Sequence, residues 1–553
     1  MKNILCALII ACIYSSAQAQ QTVGLFTQAN GSEDGYVLFA PMMSTSTYLI
    51  DKCGKELHRW SSTHKPGQSV YLLEDGTLMR PGSTNNPVFT AGGSGGIIEQ
   101  FDWNSNLLWS YTISDTLQCQ HHDICPLPNG NVLVIAWERK TVAEATDAGR
   151  DPSLIGTELW SEQILELQPI GTDSANIVWE WHAWDHLVQD HDNSKSNYGT
   201  VSDHPELINI NHYSGQATNS DWLHMNAIAY NPVLDQVMVS LHNFNEIWII
   251  DHNTTTAQAA SHNGGAHNKG GDLLYRWGNP AAYDRGTAAD RKLFGQHNAR
   301  WIEGGLPDPG KIMIFNNGNG RQPANYSSVD IIVPPIDNNG DYSITGPQPY
   351  EPANIYWSYA DPTPTDFYAM NISGAQRLAN GNTLICNGPA GTFFEVDSMG
   401  STVWKYVNPI NNTGAISQGS PATQNLVFRC SLYPATYPGF ANQTLTPGAP
   451  LEQNPLSYTC STTGLAAATL PGQNIQAINP FDRDIVIQSE SGIKDAHAVL
   501  LSISGVVCKV WNDIDIQPGR NVLATATDLP AGMYLLSIRN GSINVNLKLS
   551  KIY

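Results

Sequence analysis

The stretch TVWKY (402–406) ends the last of six similar segments in this chain. The other five segments also end in an aromatic stretch that carries a tryptophan: ELHRW (56–60), LLWSY (107–111), IVWEW (177–181), LLYRW (273–277) and IYWSY (355–359). Self-similarity at intervals of tens of residues is typical of a solenoid or a propeller. Turns such as LPNGN (127–131) and LANGN (378–382) indicate short strands, which favour propeller blades over helical repeats. We therefore predict an all-β chain whose main domain is a six-bladed β-propeller.

The spacing of the segments predicts where the blades lie and where the chain leaves them. The predicted blades are 33–62, 66–112, 118–185, 221–279, 295–360 and 367–410. The longer intervals carry insertions at 181–220, 253–271 and 334–353. Insertions of this kind normally lie on one face of a propeller and shape the mouth of its channel.

Composition limits the classes of partner. Only 14% of the residues are charged, and 47 Gly and 33 Pro suit turns and short strands. The net charge of −21 argues against nucleic acid or an anionic membrane as a partner, because both are bound by basic patches. It does not exclude an anionic small substrate, since a channel can be locally basic in an acidic protein.

The N-terminus has the pattern of a secretory signal. Lys2 precedes an apolar run from 4 to 13, and Ala17-Gln18-Ala19 is an A-x-A cleavage site, so 1–19 is the predicted signal peptide. The apolar run is too short to span a bilayer, and no later stretch is long and apolar enough to do so. A lipoprotein signal ending at Cys12 is the alternative interpretation.

The C-terminal part predicts a second, smaller β unit. We assign 20–440 to the propeller, 441–473 to a linker poor in charge, and 474–553 to a small β-sandwich. The predicted strands of that sandwich alternate in polarity and are DIVIQSE (484–490), AVLLSISG (498–505), NVLATAT (521–527), MYLLSIRNG (533–541) and NVNLKLS (544–550).

This C-terminal unit resembles the sorting domain of the type IX secretion system of Bacteroidetes. The resemblance rests on Asn479-Pro480-Phe481, on Leu529-Pro530-Ala531-Gly532-Met533-Tyr534, and on the lysines of the last strand. It implies a protein that is secreted or placed on the cell surface through the periplasm, with the secretion machinery as a partner. A generic β-sandwich that binds carbohydrate is the alternative.

The cysteines leave disulfide pairing open. The sequence has nine cysteines, and removal of a leader containing Cys6 and Cys12 leaves seven. Export permits disulfides, and the spacing suggests Cys119–Cys125 and Cys430–Cys460 as pairs. An odd number leaves at least one thiol outside a pair. The spacing around Cys119 lacks a second cysteine pair for zinc, so a disulfide is favoured there over a metal.

Histidine recurs where the innermost strands of three consecutive blades begin. The residues are His121 and His122 in blade 3, His224 in blade 4 and His297 in blade 5. Each is followed within two residues by Asp or Asn, and we expect these residues to fix the ring tautomers. Blade 6 has Ser373 and Gln376 at this level instead. Clustered titratable groups of this kind indicate a shared site, which we expect His121, Asn226, Asn298, Ser373 and Gln376 to line.

A second candidate element is the turn after the second strand of blade 5. This turn, NNGNGR (316–321), ends in Arg321, whose planar guanidinium suits bidentate binding of sulfate, phosphate or carboxylate. The run from Trp179 to His191 could place His182 and His186 on one face of a helix, as metal ligands can lie. We favour a helix that packs its tryptophans on the propeller, and we expect no metal and no cofactor.

The propeller region resembles the bacterial arylsulfotransferases. The matching stretches include DWLHMNAI (221–228), LFGQHNARW (293–301), IFNNGNGR (314–321), ISGAQRLANGNTLICNG (372–388) and VFRCSLYPATYPG (427–439). The resemblance implies transfer of a sulfuryl group from an aryl sulfate to a phenol through a histidine, in two steps and without a nucleotide. It identifies His224 and His297 as channel histidines and Arg321 as the sulfate-binding arginine.

One departure from the family pattern concerns the histidine that carries the group. In the family a third channel histidine comes late in the propeller, where this chain has Ser373-Gly374-Ala375-Gln376. His297, His224 or His122 would then carry the group, or activity would be lost. A non-catalytic propeller that binds an anionic or sulfated ligand is the second hypothesis, and a propeller enzyme with metal in the channel is the third.

Overall fold

A computed structural model describes most of the chain. The described residues are 20–213, 215–337, 339–456, 460, 475–477, 481, 484–489, 491–502, 507–524, 529–530, 532–540 and 543–551. The predicted signal peptide and about half of the predicted linker, 457–459 and 461–473, lie outside them. The chain divides into two compact units, Met1–Thr462 and Thr463–Tyr553.

The first unit is a six-bladed β-propeller, as predicted. Four of its blades are four-stranded sheets built from consecutive antiparallel strands. Blade 2 holds Tyr71–Leu72, Leu78–Ser83, Gly96–Phe101 and Leu107–Thr112; blade 3 holds Gln118–Pro126, Val132–Lys140, Leu159–Ile170 and Ser174–His182; blade 4 holds Met225–Asn231, Gln236–Leu241, Glu246–Asp251 and Tyr275–Trp277; blade 5 holds His297–Trp301, Ile312–Asn316, Ser328–Ile332 and Trp357–Tyr359.

In each of the remaining two blades, a strand from one end of the unit pairs with strands from the other end, which closes the ring. The innermost strand of blade 1 is Val427–Tyr433, which precedes Tyr36–Pro41, Ser46–Asp51 and Glu56–Ser61 in the sheet. Blade 6 consists of Gly374–Arg377, Thr383–Asn387, Thr392–Val396 and Thr402–Val407, and Gly24–Gln28 adds a fifth, outer strand. The ring is therefore joined twice, once by a strand from each end of the unit.

The six tryptophans that reveal the repeat occupy equivalent places. Each lies on the fourth strand of its blade. Five of them, Trp60, Trp109, Trp179, Trp277 and Trp404, are at most 4% exposed. A buried tryptophan removes a large apolar surface from water, which explains why the segment that closes each blade keeps this residue.

Helices are short and lie in the connections. Val142–Asp147 and Thr256–Ala259 both begin with a capping box, formed by Thr141 with Glu144 and by Thr255 with Gln258. Two-stranded pairs join Leu187–Val188 to Ile208–Asn209 and Ile410–Asn411 to Gly414–Ala415. Within the described residues, no helix is long and apolar enough to cross a membrane.

The helix expected around Trp179 and His186 is wrong. Residues Ser174–His182 form the outer strand of blade 3, and only Ala183–Asp185 make a 3₁₀ turn. The strand pairs with Leu159–Ile170, where Trp181 lies opposite Ile164. Pairing along a neighbouring strand decides the conformation of this run, so His182 and His186 do not share a helix face.

The second unit is a separate β structure. Its strands are Ile475–Ala477, Asp484–Ser489, Ile493–Ser502, Val507–Ile516, Gly519–Ala524, Gly532–Asn540 and Ile543–Lys551, arranged in a three-stranded and a four-stranded sheet. The strand Val507–Ile516 was not predicted, because its charged residues obscure the alternation. Of the resemblance motif, Asn479, Pro480 and Ala531 lie outside the described residues.

The disulfide pairing differs from both predicted pairs. Cys460 is bonded to Cys53, and Cys119, Cys125 and Cys430 are free thiols. Cys119 and Cys125 lie in one extended strand of blade 3, which holds their side chains apart. The Cys53–Cys460 bond ties the segment after the last blade strand to the turn between two strands of blade 1.

We predict that Cys53→Ser destabilises the propeller by about 2–4 kcal/mol, because the bond closes a very long loop. Urea unfolding followed by tryptophan fluorescence measures the change. A reductant should destabilise the wild-type protein and leave Cys53→Ser unaffected. Equal unfolding midpoints for the two proteins without reductant would contradict the prediction.

Candidate functional site in the channel

An unusual backbone conformation recurs on the innermost strands or within a few residues before them. His122, His224 and Asn298 have φ values of 50°, 55° and 48°, and Gln68 and Ser373 have 100° and 85°. Such left-handed geometry is uncommon for residues with a side chain and concentrates at functional sites. It recurs here in five of the six blades, on or near the innermost strand.

Four histidine rings form a continuous row at this level. Ring centroids are 4.6 Å apart for His122 and His224, 5.3 Å for His224 and His242, and 5.7 Å for His242 and His297. The ring of Phe428 lies 6.1 Å from His122 and 6.5 Å from His297. The structure thus brings together the three predicted histidines His122, His224 and His297, and adds His242.

His242 escaped the sequence analysis because it does not start an innermost strand. It lies in the turn between Gln236–Leu241 and Glu246–Asp251 of blade 4. His242 can be identified only from its contacts in the fold, because the alignment of the repeats compares only the first strand of each blade.

The Nδ1 atom of each ring is held by a protein group. The contacts are 2.8 Å from His122 to Nδ1 of His121, 2.5 Å from His224 to Asp221, 2.8 Å from His242 to Asn243 and 2.8 Å from His297 to Asn317. Within the described part of the chain, no Nε2 atom of these four rings has a hydrogen-bond partner. Each ring is therefore fixed on one side and offers Nε2 on the other.

Two of these partners determine the tautomer of the ring they hold. The amide nitrogen of Asn317 donates to the carbonyls of Ala369 and Ile372 at 2.8 and 3.0 Å, so its oxygen accepts from His297 Nδ1. The amide nitrogen of Asn243 donates to the Asp221 carbonyl at 2.7 Å, so its oxygen accepts from His242. The neutral rings of His297 and His242 consequently carry a lone pair on Nε2.

Three of the four rings are neutral. Burial, followed by the charge of His242, lowers the pKa of His297 well below its ordinary value. Burial lowers the pKa of His242 to about 4. Burial and then the charge of His224 lower the pKa of His122 well below its ordinary value. These rings are bases or nucleophiles and not resting cations.

His224 is the ring of the row whose surroundings favour the protonated form. Burial alone would lower the pKa of His224, but the charge of Asp221 and its hydrogen bond outweigh burial and raise that pKa. Burial alone would raise the pKa of Asp221, but His224 outweighs it and lowers that pKa. Asp221 also accepts a 3.0 Å hydrogen bond from the Trp137 indole. The channel thus places one ring that favours a proton beside rings that favour the neutral form.

His121 lies behind this row. It is fully buried, its ring stacks on Trp137 with centroids 4.0 Å apart, and its Nε2 is 2.7 Å from Glu162. Glu162 also accepts from the Met225 N–H at 2.9 Å. The described contacts of His121 connect it to His122 and Glu162, so its route to the channel runs through His122.

The Asp and Asn residues after the histidines do not fix ring tautomers, and that expectation is wrong. Asn226 donates to the Gln296 carbonyl at 2.7 Å, and Asn298 accepts from Ala375 N–H at 3.0 Å. Asp123 accepts from Ile228 N–H at 3.2 Å. Each reaches the innermost strand of the next blade, because the strand directs it sideways and away from the neighbouring ring.

Ser373 and Gln376 also serve the joint between blades. Ser373 N–H donates to the Phe428 carbonyl at 2.8 Å, and its hydroxyl accepts from Gly388 N–H at 3.0 Å. Gln376 donates to the Leu432 carbonyl at 3.0 Å and accepts from the Leu432 N–H at 2.8 Å. The contacts with Phe428 and Leu432 link blade 6 to the innermost strand of blade 1, whereas the contact with Gly388 lies within blade 6.

Arg321 has its contacts within its own blade. Its guanidinium donates to the Ser328 hydroxyl at 2.7 Å, lies 3.7 Å from Asp330 and packs over Tyr326 at 4.3 Å. Among the described residues none of its hydrogen bonds reaches a channel histidine. The turn that carries it does approach the row, because a Cβ at Gly295 would lie 2.8 Å from Asn319 Nδ2 and 2.9 Å from His242 Nε2.

A second arginine, Arg429, was not singled out from the sequence. It is 9% exposed and forms a 2.5 Å ion pair with Asp123, which also accepts from Tyr71 at 2.8 Å. The group connects the innermost strands of blades 1, 2 and 3. Because Asp123 neutralises Arg429, this pair adds no net positive charge near the row.

One cluster outside the row could supply metal ligands. Donor atoms of His186, His262 and Asp272 lie within 4.8 Å of one another, and the two histidines are each 2.7 Å from the same Asp272 oxygen. Ordinary hydrogen bonds account for these distances. The cluster joins the loop 253–271 to the end of blade 3.

Solved structures similar to this chain are distant relatives. A protein of unknown function from Bacteroides caccae is 12% identical, with 72% of this chain and 98% of that chain covered and a TM-score of 0.38. A virginiamycin B lyase from Staphylococcus aureus, with quinupristin, is 12% identical over 72% and 88%, with a TM-score of 0.33. The β-propeller domain of Cps50 (Swd1) from Myceliophteria thermophila is 9% identical over 71% and 87%, with a TM-score of 0.31. Similarity at this level carries no statement about chemistry.

The family of the chain is defined by its sequence. No curated protein matches it. The family model described as "Arylsulfotransferase (ASST)" matches residues 17–433, which include all six blades and the four channel histidines. The chain belongs to the arylsulfotransferase family.

Proposed function

We propose that the protein is an exported aryl-sulfate sulfotransferase, which moves a sulfuryl group from an aryl sulfate to a phenolic acceptor through a histidine. The observation that carries the proposal is the row of four rings, in which a charged His224 stands beside neutral rings with unpartnered Nε2 atoms. Neutral imidazole is a nucleophile, and an adjacent cation holds the charge of a transferring anionic group. The reaction needs no nucleotide and no metal.

The first half-reaction loads the protein. The Nε2 lone pair of His297 attacks sulfur, the S–N bond forms, and the bond between sulfur and the aryl oxygen breaks. His297 keeps its Nδ1 proton, which Asn317 holds. The His224 imidazolium stabilises the sulfuryl oxygens, and the departing phenolate takes a proton from a neighbouring ring.

The second half-reaction returns the protein to its starting state. A phenolic acceptor loses its proton to a ring, its oxygen attacks sulfur, and the S–N bond breaks to regenerate His297. The product is a new aryl sulfate. This two-step exchange is a ping-pong reaction, because the first phenol leaves before the acceptor reacts.

We assign the carrier role to His297 and not to His224, because a charged ring has no lone pair to offer. His297 would thus take over the carrier role of the histidine that the family resemblance places late in the propeller, and His242 fills the row between His297 and His224. Arg321 keeps a supporting role only if its side chain leaves Ser328 when a sulfate binds.

The competing proposal is a non-catalytic propeller that binds an anionic or sulfated ligand. The single imidazolium favours it in one respect, since one cation can bind an anion without reacting. Three neutral rings with free Nε2 atoms are more than anion binding needs, and they support the enzyme.

Export is part of the proposal. The predicted signal peptide and the resemblance to a type IX sorting domain support passage through the periplasm to the surface or the medium. The Cys53–Cys460 disulfide supports it further, since structural disulfides persist in oxidising compartments.

The test incubates the purified protein with p-nitrophenyl sulfate, with and without phenol. We expect steady release of p-nitrophenol only when phenol is present. Without phenol, one burst equal to the protein concentration should accompany a mass increase of one SO₃ group. Absence of both release and adduct with several aryl sulfates would reject the enzyme in favour of the binding propeller.

A further inference from the structure

Glu162, His121 and His122 form a line that ends at the channel. Glu162 Oε2 is 2.7 Å from His121 Nε2, and His121 Nδ1 is 2.8 Å from His122 Nδ1. The three side chains are at most 2% exposed. We propose that this line is a proton relay, in which His122 Nε2 exchanges a proton with the phenol oxygens and Glu162 stores it. This inference rests on the proposed function and identifies its acid–base group.

The same three side chains fit two arrangements of protons. In the first, Glu162 carries a proton and donates to His121 Nε2, His121 Nδ1–H donates to His122, and His122 Nε2 carries a proton. In the second, His122 Nδ1–H donates to His121, His121 Nε2–H donates to a Glu162 carboxylate, and His122 Nε2 has a lone pair. Both arrangements keep the two short contacts, and both leave the two rings neutral.

The relay lets His122 take up a proton without placing a second positive charge next to His224. The His224 imidazolium lies 4.6 Å from the His122 ring. A second imidazolium there would be repelled by the first and would also lack solvation. A relay avoids this cost, because a proton taken up at His122 Nε2 appears as a neutral carboxylic acid at Glu162.

The groups around Glu162, His121 and His122 favour a proton on Glu162 and disfavour a positive charge on His122. Burial raises the pKa of Glu162 well above its ordinary value, and the charge of Asp221 raises it further, while Met225 N–H and His224 oppose the rise. Burial disfavours a cation at His122, and so does the proximity of the His224, His121, His297 and His242 rings. The resting state is therefore the arrangement with a protonated Glu162 and a His122 Nε2–H.

The proton balance closes over one catalytic cycle. When the bond of a donor such as phenyl sulfate breaks, His122 Nε2 gives its proton to the leaving phenolate, and Glu162 becomes a carboxylate. When the acceptor attacks, its O–H proton passes to His122 Nε2, and Glu162 is protonated again. His224 keeps its charge in both steps, so it can hold the sulfuryl oxygens throughout.

The variant Glu162→Gln tests the relay in the full chain. A glutamine can still accept from Met225 N–H and donate to His121 Nε2, but it cannot release or store a proton. We expect loading from p-nitrophenyl sulfate to change less than ~3-fold, because that phenolate leaves without a proton. Loading from phenyl sulfate, and transfer to phenol, should each fall about 10²-fold.

The matched control is Glu166→Gln. Glu166 lies on the same strand and also pairs with a histidine, since its Oε2 is 2.9 Å from His252. That pair is separate from the four-histidine row, and we expect wild-type rates with both donors. A merely structural role of Glu162 would slow both donors equally, whereas the relay makes the loss depend on the leaving group.

Three outcomes decide between the proposals. A Glu162→Gln protein with wild-type dependence on leaving group and wild-type transfer to phenol overturns the relay and leaves the sulfotransferase intact. A wild-type protein that forms no adduct overturns the function itself.

Infrared difference spectra of the wild type provide a readout that needs no variant. Loading with phenyl sulfate should remove a protonated-carboxyl band, and an unchanged carboxyl region would contradict the relay.

Discussion

Replacing His297 by alanine is expected to abolish sulfuryl loading and to lower turnover of p-nitrophenyl sulfate by at least ~10³-fold. The ring is the proposed site of the S–N bond, and its Nδ1 is held by Asn317 so that the nucleophilic lone pair lies on Nε2. Within the row, His242 is the other ring whose Nδ1 is bonded to an asparagine amide and whose Nε2 has a lone pair. His242 is nearer than His297 to the His224 ring. The measurements are stopped-flow p-nitrophenol release and intact mass.

Two further proteins make the His297 result specific. His204→Ala removes a histidine whose side chain is 44% exposed and whose partner is Glu206, and it should behave as the wild type. Added imidazole should restore part of the activity of His297→Ala, because the truncated side chain leaves room beside Phe428 for a soluble nucleophile. Normal loading of His297→Ala would contradict the assignment of the carrier.

The variant Asp221→Asn is expected to lower kcat/KM at neutral pH by about 10²-fold. Asp221 is the group whose charge raises the pKa of His224, and asparagine keeps a hydrogen-bond acceptor but removes that charge. His224 is charged below its pKa and neutral above it. Activity that needs the imidazolium is therefore lost as the pH rises through that pKa, and the variant should lose it at a lower pH.

The pH dependence of kcat/KM for both proteins measures this shift. The alkaline limb of the wild-type profile should move to lower pH in Asp221→Asn, and activity at acidic pH should recover towards wild type. Asp235→Asn is the matched control, since Asp235 pairs with His252 at 2.8 Å in the same blade but outside the row. Superimposable profiles for Asp221→Asn and wild type would show that His224 does not act as a cation.

The sequence was sufficient for the repeat and for part of the site. Tryptophans at equivalent ends predict six blades, because each blade has one such residue on its fourth strand and five of the six are buried. His122, His224 and His297 could be found because they occupy the same repeat position. Periodic features are visible in a sequence whenever the same physical demand recurs in every repeat.

The rest of the site depends on contacts between distant segments. His242 lies in a turn, Asn317 in another, and Glu162 on the third strand of blade 3, so no shared repeat position marks them. Asp123, Asn226 and Asn298 were assigned to ring orientation because they are adjacent in sequence, but the strand points them to the next blade. The ring closure by Val427–Tyr433 and the Cys53–Cys460 bond likewise join residues hundreds of positions apart.

The most direct test of the account is the position of the trapped sulfuryl group. The protein is loaded with p-nitrophenyl sulfate in the absence of acceptor, digested at alkaline pH to protect the S–N bond, and sequenced by mass spectrometry. The account predicts one SO₃ group on the peptide that contains His297, and its loss when phenol is added before digestion. A group on His122, His224 or His242, or one that phenol cannot remove, would contradict it.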